Sequence, residues 1–168
     1  MLSSRTVWTI LWAEHAQMRD RLAEIAEAAS AVRWHDARPE LQRLKSLLEA
    51  WQAFDNASHR PKGLSLFEAL RGRTPEIDEM VAGLERERNE DDELLAGAIA
   101  LLEDAARGDT SAGNTFVERF ARYRERVLKQ FDIEDTLLRA QSERVLSEEE
   151  WSRVVSRISS GLHPGATR

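Results

Sequence analysis

The sequence predicts an all-α protein: an antiparallel up-down-up-down four-helix bundle closed by a short C-terminal helix. Three observations predict it. Four long segments carry large apolar residues at alternating spacings of three and four, the stripe of an amphipathic helix. The breaks between those segments are short, so consecutive helices should run antiparallel. No segment reads as a strand, and no repeat of fixed period shows.

The first helix should run from about Ser4 to Val32. Trp8, Leu11, Met18, Leu22, Ile25 and Ala29 form its stripe. Trp34-His35-Asp36 reads as a turn, and Pro39 suits the first turn of the second helix. That helix shows Leu41, Leu44, Leu48 and Trp51 on one face. It should weaken near Pro61, whose ring removes a donor and crowds the preceding turn. Gly63 adds to the break, and Leu64 to Leu70 resumes the apolar pattern.

Arg71 to Glu76 is a stop and restart. Gly72 suits a left-handed terminal position, Thr74 a cap, and Pro75 with Glu76 the first helical turn. The third helix carries Ile77, Val81, Leu84, Leu95 and Leu102, with its seam interrupted at Arg88 and Asp91. It should end by Gly108. Asp109 to Asn114 reads as a polar loop, and the fourth helix should begin near Thr115. It carries Phe116, Phe120, Val127, Phe131, Leu137 and Leu138. Ser147 with Glu150 has the capping-box pattern, ahead of a short helix with Trp151, Val154 and Ile158. The expected organisation is one domain over residues 1–160 and a flexible tail over 161–168.

Composition bounds the function. The chain has 168 residues, enough for one sizeable core. Its net charge of −6 argues against a nucleic-acid footprint, which needs a basic face. Without cysteine there are no disulfides, thiolate catalysis or Cys-ligated metal sites, which fits a cytoplasmic protein. No apolar run approaches the roughly 20 residues of a membrane helix. The N-terminal apolar run is broken by Glu14 and no small-residue cleavage site follows, so no signal peptide is expected.

Polar residues interrupt the core seams. His15 falls between Leu11 and Met18, Arg88 lies on the third helix, and Glu134 lies on the fourth with Gln130 one turn before it and Asp135 beside it. His59 and Lys62 lie at the weakened end of the second helix. Converging buried polar groups form either a site or a satisfied network. Histidine and carboxylate would suit iron, manganese or zinc. The ligand count opposes two metals: His35 lies in a turn, His163 in the tail, and no Glu-x-x-His is present. A lone histidine on a seam is more often a hydrogen-bonded structural residue.

In this order and spacing, five pieces resemble the hemerythrin-like (HHE cation-binding) family: Leu11 to His15, Leu66 to Leu70, Leu84 to Arg88, Ile133 to Leu138, and Leu146 to Trp151. The resemblance implies a four-helix bundle around a non-haem di-iron centre, in proteins that bind oxygen, sense oxygen or redox state, or handle iron. Carried across position by position, the Glu-His of the first helix is intact as Glu14-His15. In the second helix His59 matches one histidine of a pair. Ser58 stands where the other is expected, and Lys62 where a bridging glutamate is expected. Arg88 and Gln130 replace the histidines of the third and fourth helices, while Glu134 and Asp135 remain.

The resemblance therefore implies a degenerate site, with His15, His59, Glu134 and Asp135 as remnant metal ligands. A core polar network is expected from His15, Lys62, Arg88, Gln130, Glu134 and Asp135. Arg88 is expected inside the bundle, bonded to Glu134 or Asp135 in place of a metal. For Lys62 a buried position and a solvent-reaching one are equally open. The expected protein has no di-iron centre and no cofactor, and acts as a non-enzymatic regulatory or interaction module. The alternative is an iron- or oxygen-binding protein with an altered site. No nucleophile, phosphate loop or triad pattern points to an enzyme. A protein partner is open, a homodimer through Trp12 and Trp34 among the choices.

Overall fold

The computed structural model describes residues 2–35 and 38–161. Asp36 of the expected turn, the tail over 162–168 and His163 with it lie outside the described residues. The helices are α1 (Leu2–Ala31), α2 (Arg38–Phe54), α3 (Arg60–Leu70), α4 (Pro75–Ala106), α5 (Thr110–Ile133), α6 (Arg139–Val145) and α7 (Glu148–Gly161). Two π-helical turns, Asp55–His59 and Glu134–Leu138, join α2 to α3 and α5 to α6 without a break. No strand occurs among the described residues. The fold class is the expected all-α helical bundle, with α7 as the short terminal helix.

The caps form as their chemistry requires. Gly72 takes φ 74°, a conformation that costs a residue with a Cβ energy. The Ile77 amide donates to Thr74 Oγ1 at 3.3 Å, and Pro75 opens α4. Ahead of α7 the capping box closes from both sides. Ser147 N donates to Glu150 Oε2 at 2.8 Å and Glu150 N to Ser147 Oγ at 3.4 Å.

Two expectations are corrected. The polar stretch 109–114 is largely helical. Asp109 Oδ1 accepts from the Ser111 and Ala112 amides at 3.0 and 3.2 Å, and α5 starts at Thr110. Gly113 lies inside that helix because Trp34 packs where its Cβ would be, 2.2 Å from the ring. The second correction concerns Pro61. The helix does not break there. It widens into the π turn just before it, with Arg60 N donating to Asp55 O, and Pro61 falls in the first turn of α3.

The chain divides into two compact units. The first takes the residues up to Gln17, Ala53–Leu84 and those from Phe131 onward. Its core is one cluster that includes Trp8, Leu11, Phe67, Leu70, Ile77, Trp151 and Ile158, with α3 packed on α7. The second unit takes Met18–Gln52 and Glu85–Gln130. Within it Leu22, Leu44, Trp51, Leu102, Phe116 and Phe120 are buried, and Trp51 Nε1 donates to Tyr123 Oη at 2.8 Å.

Of the two tryptophans expected at the surface, Trp12 is 38 % exposed and carries the Arg139 guanidinium 4.2 Å above its ring. Trp34 is half-buried against Gly113.

Candidate metal centre

The first unit gathers a buried polar cluster from four places in its sequence. Leu11 and Met18 fix the inward face of α1, and His15 falls on it with no exposure at all. The π turn Asp55–His59 ends on His59, which is 2 % exposed. The π turn Glu134–Leu138 opens on Glu134, 3 % exposed, with Asp135 next to it. Lys62, in the first turn of α3, is buried as well. An extra residue per turn rotates the downstream residues around the helix axis. The buried face of the second helix thus steps from Trp51 to His59, eight residues rather than seven. Both π turns carry groups of this cluster, in keeping with the frequent placement of such turns at functional sites.

His15, His59 and Glu134 each present a ligand-type atom within 4.8 Å of the others. His15 Nδ1 lies 2.6 Å from Asp135 Oδ1, and its Nε2 lies 3.5 Å from Glu134 Oε2. Phe131 stacks on the His15 ring at 4.5 Å between centroids, and His59 meets that ring edge-on at 4.9 Å. These contacts fix the imidazole planes. Burial pulls the His15 pKa down. The Asp135 and Glu134 carboxylates outweigh it and raise the pKa from 6.5 to about 9. Without a metal, His15 is therefore an imidazolium held between two carboxylates.

A second set of contacts adjoins the first. Lys62 Nζ donates to Glu14 Oε1 at 2.6 Å, to Ser58 Oγ at 2.7 Å and to the Ser58 carbonyl at 3.1 Å. Ser58 Oγ in turn donates to Glu14 Oε1 at 2.6 Å. Burial would raise the Glu14 pKa, but His59, Lys62 and Ser58 together hold it down at about 2. Glu14 Oε2 faces His59 Nδ1 at 3.5 Å.

Three buried atoms of the cluster, Glu14 Oε2, His15 Nε2 and His59 Nδ1, have no hydrogen-bond partner among the described residues. Buried polar atoms without partners are costly, and a cation ligated by His15, His59 and Glu134 would satisfy part of that deficit. Two imidazoles and a carboxylate suit Fe(II), Mn(II) or Zn(II). Beside these donors, the Lys62 ammonium and the Ser58 hydroxyl occupy the neighbourhood of Glu14.

The first unit brings several of the sequence-predicted residues together. His15, His59, Glu134 and Asp135 do converge. Lys62 is buried, and its carboxylate is Glu14, which the expected network does not include. Glu14 and Ser58 are legible in the sequence only as neighbours of histidines. Nothing in composition marks them as partners of a lysine 48 and four residues away.

Arg88 lies half-buried in the second unit. Within the first unit, Glu134 and Asp135 both face His15. Gln130 is also in the second unit. It donates to Asp91 Oδ2 at 2.6 Å, and Arg126 Nε donates to the other oxygen of that carboxylate. Burial raises the Asp91 pKa against the pull of Arg126.

Residues 6–141 match the family model described as the hemerythrin HHE cation-binding domain. No curated protein and no solved structure matches the chain. No helix among the described residues is long and apolar enough to cross a membrane.

Proposed function

The chain belongs to the hemerythrin HHE cation-binding family, and on that premise we propose that it is a non-enzymatic regulatory module with a single-cation site in place of the di-iron centre. The observation that carries the reading is the convergence of His15, His59 and Glu134, all buried, with His15 Nε2 and His59 Nδ1 unsatisfied beside a carboxylate. Those three residues would hold the ion, and Asp135 would orient His15 through Nδ1. A bound Fe(II) would supply redox chemistry and open positions for a small ligand such as oxygen.

The chain's own part is to fix the imidazoles, exclude bulk water and exchange a proton for the ion. His15 must give up its proton to ligate, so cation uptake competes with protonation below about pH 9. The imidazoles of His15 and His59 face Glu134, an arrangement suited to holding an ion, which favours a sensing role over turnover. We place the protein in the cytoplasm, with oxygen or redox state as its input and a protein partner or a second copy of itself as its output.

Metal analysis and an ultraviolet–visible spectrum of protein from iron-supplemented cells test this. At most one iron per chain and no oxo-bridge charge-transfer band are expected. Two irons per chain with that band would overturn it.

A further inference from the structure

The cluster holds a positive charge that the cation-binding reading does not use. Lys62 is 5 % exposed and sits against three oxygens. An ammonium group has three N–H donors and no acceptor. Here the acceptors are Glu14 Oε1, Ser58 Oγ and the Ser58 carbonyl, so every donor is committed. A lysine so held has no free lone pair and no room to swing, so it is neither a nucleophile nor a proton shuttle. One carboxylate oxygen, one hydroxyl and one carbonyl are the ligand types that hold a hard cation.

We propose that Lys62 is a tethered cation built into the site. Its ammonium permanently fills the oxygen-lined side of the cluster, and so limits the cluster to one metal ion. A cleft of about 60 Å³ lined by Ala57, Ser58, Pro61, Lys62, Ser65 and Arg157 reaches the same lysine.

The identity of the other ion rests on the single-cation reading; the role of Lys62 does not. Two measurements on the full chain test it. The first is Co(II) stoichiometry, by titration and elemental analysis, for the wild type and Lys62→Glu. The substitution turns the ammonium's place into a second carboxylate facing Glu14 and the Ser58 oxygens. The folded variant should take one Co(II) more than the wild type.

One in the wild type and two in the variant supports both readings. None and one supports the tethered cation and sinks the single-cation site. Two in the wild type, or no increment in a folded variant, overturns the proposal. The second measurement decides the matter if the variant does not fold. Proton–nitrogen correlation spectra of the metal-free wild type near neutral pH should show a slowly exchanging lysine ammonium that is lost in Lys62→Met. Its absence from the wild type overturns the proposal.

Discussion

Lys62→Met removes the charge while keeping most of the side-chain volume, so it isolates the ion pair with Glu14. The magnitude comes from Glu14. Its pKa falls from 4.5 unfolded to about 2 folded. At about 1.4 kcal/mol per pH unit the contacts of Glu14 with His59, Lys62 and Ser58 are together worth about 3 kcal/mol, of which Lys62 supplies a part. The substitution also strands a buried carboxylate, and breaking one half of a buried pair costs ~3–5 kcal/mol, so an overall loss of about 3 kcal/mol is expected. For a chain of this size it lowers the melting temperature by about 6–12 °C.

The sign of the pH dependence separates this cause from lost packing. A carboxylate whose folded pKa is depressed adds stability that is fully present above 4.5 and disappears as pH falls towards 2. In Lys62→Met, Glu14 keeps His59 and Ser58 but loses the ammonium, so its folded pKa rises and its contribution to the acid limb shrinks. Urea titrations of metal-free wild type and variant between pH 3 and 7 report both effects. A cost below about 1 kcal/mol at pH 7, with acid limbs of the same slope, would refute the buried pair.

Three further outcomes are expected. In metal-free protein the raised pKa of His15 gives stability that is full below 6.5 and lost as pH rises through about 9; His15→Gln should flatten that alkaline limb in urea titrations. Asp135→Asn should keep the metal stoichiometry but lower Co(II) affinity about 10–100-fold, because it loosens the orientation of His15; an unchanged affinity in competition titrations would show that Asp135 does not orient the ligand. Gly113→Ala puts a Cβ 2.2 Å from Trp34 Cδ2, near the root of a stiff side chain; overpacking of about 1–3 kcal/mol, with a red-shifted tryptophan emission, should appear in thermal and fluorescence measurements.

The sequence by itself determined the helices and most of their ends, because periodicity and capping are local. The stripe from Trp8 to Ala29 sets the buried face of α1, so His15 had to be inside. Thr74-Pro75 and Ser147 with Glu150 mark their helix starts through contacts three residues long. Asp109 marks the start of α5 by the same chemistry, but Gly108, Thr110, Ser111 and Gly113 around it concealed the cap. The resemblance placed His59, Glu134 and Asp135 around one centre, and they are there.

Only the tertiary structure decided which charges pair. On the sequence alone a buried and a solvent-reaching position were equally open for Lys62, and the fold buries it against Glu14. Residues 48 and 120 apart in the chain carry no local signal of their contact, as with Lys62 to Glu14 and Asp135 to His15. The π turns decided it as well. A π turn has no composition signature, and one extra residue in it rotates everything beyond. That rotation buries His59 beside His15 and turns an apparent break at Pro61 into continuous helix.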